Sequence, residues 1–270
     1  MADASRNNWL HALKDLSITL ILWGYYTLGF IVLFAPFYIG ARLFATDVSR
    51  AFQRLNARFY RWFFVLLRGL VPACRWEVDA AVKAIRGAVI VANHRSYLDP
   101  ILLIALFPRH TTIAKQRLFG IPFYGRMLRL SGYIPSSAGG PLADLMLAVM
   151  ERMPAFLANG GNLIVFPEGT RSRDGRIGKL NSGAFKIARL CRAPIHVLYM
   201  ANTDRLFRPG RFLFDTRSAN TVRVHHLIRI EPRYDDPDFS LSALVVRVRD
   251  LLESSPTQVS RKEPGGFPGG

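Results

Sequence analysis

The chain contains one stretch that predicts the fold around it: Ala88-Val89-Ile90-Val91-Ala92-Asn93-His94-Arg95-Ser96-Tyr97-Leu98-Asp99-Pro100. Its apolar first part is typical of a buried β-strand, so the polar residues that follow should lie at the end of a sheet. Asp99 followed by Pro100 is typical of a helix N-cap and first turn. We therefore predict a strand, a turn and a helix in succession.

The same arrangement recurs later in the chain, where the apolar run 162–165 is followed by Phe166-Pro167-Glu168-Gly169-Thr170-Arg171-Ser172. Short apolar runs predict strands at 88–92, 111–114, 162–166, 194–200 and 221–230. Helical patterns occupy about 99–106, 121–131, 142–158, 181–192 and 241–253. This alternation predicts an α/β domain over residues 85–253, with a mixed β-sheet flanked by helices.

Residues 1–84 have a different character. No charged residue occurs from Leu16 to Ala41, and a bilayer span needs only about 20 residues. This predicts a membrane-embedding helical segment, either spanning the bilayer or embedded in one leaflet. The run is too long for a typical signal peptide, and no small-residue cleavage site follows it. Residues 60–71 predict an interfacial helix whose arginines extend toward lipid phosphates.

Positive charge dominates the composition, with 36 Lys and Arg against 19 Asp and Glu and a formal net charge of +17. Such a charge favours nucleic acid, anionic lipid or phosphorylated small molecules. Beside a membrane segment, anionic membrane lipid is the simpler account, so we expect no nucleic-acid partner. Arginines that follow the apolar segment place the domain on the cytoplasmic face by the positive-inside rule: Arg42, Arg50, Arg54 and Arg58. Residues 254–270 lack apolar periodicity and predict a disordered tail.

His94 and Asp99 are the candidate base and its partner. A carboxylate against one imidazole nitrogen fixes the tautomer and leaves the other nitrogen to accept a proton from a hydroxyl. A histidine near an aspartate is more often structural, so its place after a strand matters. Ser96 is a competing nucleophile, but it lacks the flanking glycines of a nucleophile elbow.

Glu168-Gly169-Thr170-Arg171 offers the parts of an anion site. Glycine allows a ligand to approach the backbone, threonine supplies a hydroxyl, and arginine supplies a planar fork suited to phosphate. Glu168 could hold Arg171 or contact the ligand directly. A solvated turn is the alternative interpretation, because the charged sequence continues to a good turn at Asp174-Gly175.

Together the two motifs, at 93–99 and 166–171, resemble those of the lysophospholipid acyltransferases of the glycerolipid pathway. Further similarity lies in Lys115-Gln116-Arg117-Leu118 with Pro122-Phe123-Tyr124-Gly125, and in Ala193-Pro194-Ile195-His196-Val197. The resemblance implies that His94 is the general base, oriented by Asp99. It also implies that an acceptor hydroxyl attacks the thioester of acyl-CoA or acyl-ACP directly.

By the same resemblance, Lys115 and Arg171 hold the phosphate of the lysophospholipid acceptor, and no cofactor or metal is implied. The sequence departs from the family at Pro135-Ser136-Ser137, where enzymes that form phosphatidic acid usually carry Asp-Arg. This leaves open a lyso-aminolipid or lysophosphodiester in place of 1-acyl-sn-glycerol-3-phosphate. A hypothesis of another class is a membrane-tethered protein that binds anionic lipid or RNA.

Overall fold

The structure, a computed structural model, describes residues 2–137, 142–172, 174–217 and 219–261, with side chains from residue 9 to residue 255. Its strands are β1 Cys74–Val78, β2 Val89–Ala92, β3 His110–Ala114, β4 Ile134–Pro135, β5 Asn162–Val165, β6 Ile195–Ala201 and β7 Asn220–Ile230. Every strand predicted from the sequence is present. β1 and β4 are additional strands that were not predicted from the sequence.

Within the described residues these strands form one sheet in the order β1-β7-β6-β2-β5-β3-β4. The β6–β7 pair is antiparallel and the other neighbours are parallel. The predicted mixed sheet is thus confirmed. Because β2, β5 and β3 are adjacent and parallel, the loops that leave their carboxyl ends emerge at one edge of the sheet.

Helices cover both faces of this sheet. Their bounds are α1 Ala2–Gly24, α2 Ala35–Phe44, α3 Val48–Leu70, α4 Ala80–Ala84, α5 Leu98–Leu106, α6 Tyr124–Leu130, α7 Ala143–Ala158, α8 Gly183–Leu190, α9 Thr203–Leu206 and α10 Leu241–Arg261. A π-helix at Tyr25–Phe34 joins α1 to α2, and a 3₁₀-helix at Gln116–Gly120 precedes α6.

The core divides into two layers because side chains alternate along each strand. On β2, Ile90 faces the layer that contains α3 and α5, while Val89 and Val91 face the layer built from α7, α8 and α10. All three side chains are fully buried. Burial on both faces explains why β2 carries a continuous apolar run rather than an alternating pattern.

The N-terminal helices are both exposed and part of the core. Trp9–Phe44 is a helical stretch long and apolar enough to cross a membrane, and most of it is not buried within the protein. Yet Ile18 and Leu22 are buried in the same apolar cluster as Ile90 of β2. The N-terminal segment therefore packs into the same core as the sheet.

The interfacial assignment of residues 60–71 is wrong for one face of the helix. These residues form the last part of α3, in which Tyr60, Phe63, Phe64 and Leu67 are buried against the sheet. Arg61 is exposed, but its guanidinium donates to the carbonyl oxygen of Ala105 at 3.3 Å. Apolar periodicity alone did not distinguish a lipid-facing stripe from a core-facing one.

Both predicted boundaries of the α/β domain require correction. The sheet begins with β1 at Cys74, which pairs with Asn220, rather than at residue 85. At the other end α10 continues to Arg261, so the prediction of a disordered tail is wrong for residues 254–261. Buried Val248, Leu252 and Ser255 anchor this helix on the sheet. Residues 262–270 of the predicted tail lie outside the described residues.

His110 provides a test of the packing around β3. Burial lowers the pKa of His110 from 6.5 to about 4, and the ring hydrogen-bonds with the Phe107 carbonyl and the Tyr133 hydroxyl. Because the pKa is lower in the folded state, the unfolded chain binds more protons between pH 6.5 and 4. Stability from this group is therefore lost as the pH falls through that window.

We expect the His110→Gln variant to lose less stability than wild type between pH 6.5 and pH 5, by about 1–2 kcal/mol. The measurement is thermal unfolding in detergent at several pH values, and the slope against pH is the readout. The variant should keep a smaller pH dependence of stability, because burial also lowers the pKa of His196 to about 4. Parallel curves for the two proteins would contradict this assignment.

Candidate active site

The two motifs meet at one edge of the sheet. β2 ends at Ala92 and its neighbour β5 ends at Val165, so the motif turns emerge side by side. Two hydrogen bonds join them directly. The Ser172 amide donates to the His94 carbonyl oxygen at 2.8 Å, and the His94 amide donates to Glu168 Oε1 at 2.9 Å.

His94 and Asp99 form the predicted pair. His94 Nδ1 lies 3.0 Å from Asp99 Oδ2, and the Phe166 ring packs against the imidazole with a centroid distance of 4.6 Å. Asp99 is fully buried, whereas the side chain of His94 is 16% exposed. Since Nδ1 faces the carboxylate, Nε2 is the nitrogen available to a substrate hydroxyl.

Asp99 is not the helix N-cap that the sequence predicted. α5 begins at Leu98, and Asp99 Oδ2 accepts hydrogen bonds from the amides of Arg95 at 2.6 Å and Ser96 at 2.7 Å. These amides belong to the turn before the helix. The carboxylate therefore holds the motif turn in shape while it orients His94.

Ser96 and Asn93 also stabilise this turn. The buried Ser96 Oγ donates to the Phe207 carbonyl oxygen at 2.7 Å and accepts from the Leu98 amide at 3.2 Å. The Asn93 side chain makes two hydrogen bonds with the backbone of Met200 in β6. The engaged, buried hydroxyl of Ser96 argues against its use as a nucleophile.

Glu168 connects the second motif to its surroundings. Besides the His94 amide, its carboxylate accepts a hydrogen bond from the Gly178 amide at 3.1 Å. The residue before it makes a similar contact: the Pro167 carbonyl oxygen accepts a hydrogen bond from the backbone amide of Asn181 at 2.8 Å. Glu168 therefore acts as a bridge between loops. One predicted role of Glu168 was to hold Arg171. Among the described residues its carboxylate instead accepts hydrogen bonds from the backbone amides of His94 and Gly178.

Arg171 lies on the ring of Tyr97, with its guanidinium carbon 3.3 Å from the ring centroid. Its Nη1 atom is buried and has no hydrogen-bond partner among the described residues. Gly169 adopts a positive φ of 68°, which suits glycine, and Thr170 is exposed. A buried guanidinium nitrogen without a partner is costly unless an anion completes it.

Lys115 lies at the same edge, immediately after β3. The strand order β2-β5-β3 places it two strands away from His94, and its side chain is exposed. Beside it, the Ser136 amide donates to the Ala114 carbonyl oxygen at 2.9 Å, and the Ser137 hydroxyl donates to the Gln116 side chain. Residues 135–137, where the sequence differs from the resembling family, therefore lie at this edge of the sheet.

An apolar cavity of about 570 Å³ adjoins the motif turn. Its lining includes Tyr97 and Leu98 from the turn, Trp23 from α1, Phe63 from α3 and Phe212. The rings of Trp23 and Phe212 stack at a centroid distance of 6.0 Å. A cavity of this size and lining suits an alkyl chain.

Sequence reasoning missed several residues of the site. Tyr97 contacts Arg171 and Phe166 contacts His94, and neither aromatic residue was among the predicted site residues. Arg95 anchors the turn through Asp204 at 3.1 Å and the Tyr199 hydroxyl at 3.3 Å. Aromatic residues within the motifs were the available signal for Tyr97 and Phe166. No local signal links Arg95 to Asp204, because that contact depends on the tertiary fold.

The chain is similar in sequence to known acyltransferases. Residues 75–201 match the model of the acyltransferase family. The 1-acyl-sn-glycerol-3-phosphate acyltransferase of Saccharomyces cerevisiae is 30% identical over 205 residues, which cover 74% of this chain and 64% of the yeast protein. The chloroplast protein LPAT1 of Arabidopsis thaliana, of the same description, is 32% identical over 123 residues. The chain spans only about a third of that plant relative.

Among solved structures, the chain is similar to PlsC from Thermotoga maritima, described as a 1-acyl-sn-glycerophosphate (LPA) acyltransferase. The TM-score is 0.72 at 22% identity, and the match covers 94% of this chain and all of the other. At that identity the likeness concerns the fold. Taken together, the comparisons confirm the resemblance that the two motifs indicated.

The role of Ser96 gives a prediction about stability. We expect Ser96→Ala to lower the free energy of unfolding by about 1–3 kcal/mol, because the Phe207 carbonyl loses its donor in a buried position. Thr170→Ala is the matched control, since Thr170 is an exposed hydroxyl of the neighbouring motif and should change stability by less than about 0.5 kcal/mol. Urea unfolding in detergent measures both. Labelling of Ser96 by a serine-directed phosphonate would contradict the structural role.

Proposed function

Residues 75–201 belong to the acyltransferase family, and we propose that the chain is an O-acyltransferase that acylates a lysophospholipid. The proposed donor is acyl-CoA or acyl-ACP, and the proposed acceptor is 1-acyl-sn-glycerol-3-phosphate, which gives phosphatidic acid. The observation that carries the proposal is the 3.0 Å contact between His94 Nδ1 and the buried Asp99 carboxylate. Nearby, the buried Nη1 of Arg171 has no hydrogen-bond partner within the part of the chain that the structure describes.

In the proposed reaction His94 Nε2 accepts the proton of the acceptor hydroxyl as that oxygen attacks the thioester carbonyl carbon. The new ester forms, the carbon–sulfur bond breaks, and the thiolate leaves with the proton returned through His94. Asp99 stabilises the imidazolium that forms in between. Transfer is direct, without an acyl-enzyme, and the buried and engaged Ser96 supports this. The proposed chemistry requires no cofactor or metal.

Arg171 and Lys115 are the proposed ligands of the acceptor phosphate. Arg171 is already held over the ring of Tyr97, so less side-chain freedom remains to be lost when an anion binds. Gly169 and Thr170 would shape the pocket around it, and Glu168 would hold that loop against His94. The cavity beside Tyr97 is the proposed site of the acyl chain.

The acceptor could also be another lysolipid, and the segment 135–137 is the observation that favours it. Both serines hydrogen-bond to Gln116, which follows Lys115 in the chain. Ser136 Oγ accepts from the Gln116 amide at 3.3 Å, and the Ser137 hydroxyl donates to the Gln116 side chain. A hydroxyl pair at this place supplies hydrogen bonds without charge. A lyso-aminolipid or a lysophosphodiester needs less positive charge than a phosphomonoester, so the same chemistry could serve either acceptor.

We also propose that the protein acts at the membrane, with the catalytic domain on the cytoplasmic face. The apolar helical stretch Trp9–Phe44 supports membrane association, and the exposed arginines after it support the orientation by the positive-inside rule. Anionic lipid is the expected surface, given the net charge of +17. A membrane-tethered protein that only binds anionic lipid or RNA remains the alternative of another class.

The first test measures thiol release from palmitoyl-CoA by the detergent-purified chain with a panel of lysolipid acceptors. We expect release to require 1-acyl-sn-glycerol-3-phosphate and to fall by about 10²–10⁴-fold in His94→Ala, as for loss of a general base. Release that depends on His94 but prefers another lysolipid would move the assignment to that acceptor. Full activity of His94→Ala would contradict the proposed mechanism.

A second test addresses Arg171. Replacement by Gln removes a charge-assisted contact worth about 1.5–3 kcal/mol, so KM for the acceptor should rise by about 10–100-fold while KM for the donor stays unchanged. Arg176→Gln is the control, because Arg176 is an exposed arginine of the same loop. Equal effects of the two substitutions on the acceptor KM would show that only general surface charge matters.

A further inference from the structure

The loop between the 3₁₀-helix and α6 presents an apolar tip to solvent. Phe123 is 90% exposed, more than any other large apolar side chain in the described residues, and Ile121 is 46% exposed. Pro122 lies between them. Phe123 also has a φ of 60°, one of few positive values at non-glycine residues in the described chain. The loop therefore combines a solvent-exposed aromatic ring with a strained backbone.

This conformation is enforced by the turn behind it. The Gly125 amide donates to the Ile121 carbonyl oxygen at 2.8 Å, and a Cβ at position 125 would lie 2.2 Å from the Phe119 carbonyl oxygen. Only glycine permits so close an approach. A strained backbone persists where the surroundings over-determine it, and such positions concentrate at functional sites. Here the strain holds an apolar ring outward, which by itself gives the folded chain no stability.

The residues behind the loop connect it to the N-terminal helices. Tyr124 packs against the same cluster as Tyr26 and Phe30, and Met127 of α6 packs against the cluster that contains Tyr38 of α2. The helices of this region carry further exposed apolar side chains, including Phe37, Leu43 and Phe44. They belong to the stretch that is apolar and long enough to cross a membrane. The loop thus lies beside helices that expose several large apolar side chains.

Charge on either side of the tip fits an anionic surface. Arg117 precedes the loop and Arg126 follows it, and both side chains are exposed. Apolar tips flanked by arginines suit the membrane interface, where rings enter the acyl boundary and cations remain among lipid phosphates.

We propose that Ile121-Pro122-Phe123 inserts into the interface of a bilayer that contains anionic lipid, as a second membrane contact besides the N-terminal helices. Lys115 begins the same segment, so insertion would hold the carboxyl end of β3 at headgroup level. That consequence rests on the proposed function, because it places the proposed acceptor-binding lysine beside lipid headgroups. The insertion itself requires only the loop and a membrane.

The direct test places an environment-sensitive fluorophore, NBD, on Phe123→Cys in a Cys191→Ser background, since Cys74 is buried. The whole chain is reconstituted in nanodiscs of phosphatidylcholine with phosphatidylglycerol. Leu190→Cys is the matched control, because Leu190 is 62% exposed on α8, in the layer on the other side of the sheet. We expect a blue shift and quenching by brominated lipid at position 123 only. Identical spectra at the two positions would overturn the proposal.

The second test separates a membrane role from a structural one. Phe123→Gly removes the ring and relieves the positive φ, so the thermal midpoint in detergent should rise. The rate on an acceptor embedded in nanodiscs should fall, while the rate on a short-chain acceptor in solution stays unchanged. A lower thermal midpoint with an unchanged nanodisc rate would show that Phe123 serves folding, and would overturn the proposal. If no acceptor is acylated, the proposed function fails and the fluorescence still decides insertion.

Discussion

The candidate site depends on one buried carboxylate. Asp99 is inaccessible to solvent, and Oδ2 meets His94 Nδ1 and two backbone amides. A buried charge is tolerated only when polar groups surround it, so the turn from His94 to Ser96 must close around Asp99 for the chain to fold. The same carboxylate oxygen that stabilises the turn through two amides also fixes the orientation of the His94 imidazole. Folding and the orientation of the candidate base thus have the same physical cause.

The N-terminal helices are part of this arrangement rather than an attachment to it. Trp23 of α1 and Phe63 of α3 line the cavity that reaches Tyr97 and Leu98 of the motif turn. Tyr25 extends the connection, since its hydroxyl donates to the Phe59 carbonyl oxygen of α3 at 2.8 Å. A chain deprived of these helices would expose the apolar layer above the sheet. The apolar N-terminal segment therefore contributes both to the core and to the wall of the cavity.

The sequence predicted what depends on local pattern. Continuous apolar runs revealed β2 and β5 because both strands are buried on two faces, and the motifs revealed His94 and Asp99. Local pattern failed where partners lie far apart in the chain. β1 carries the charged residues Arg75 and Glu77 and pairs with β7, so it lacks the continuous apolar run that revealed β2 and β5. The contacts of Glu168 with His94, and of Arg171 with Tyr97, likewise exist only because two parallel strands end together.

The two motifs fix their functional side chains in different ways, and together they determine which side of the site faces an anion and which faces the apolar cavity. The first fixes a base by hydrogen bonds within one turn. The second fixes a cation by stacking Arg171 on Tyr97, a residue of the first motif. Tyr97 also borders the apolar cavity, so one ring separates a surface suited to an anion from a volume suited to hydrocarbon. An amphipathic ligand with a charged head and an alkyl tail matches that division, and a hydroxyl near its head would lie toward His94.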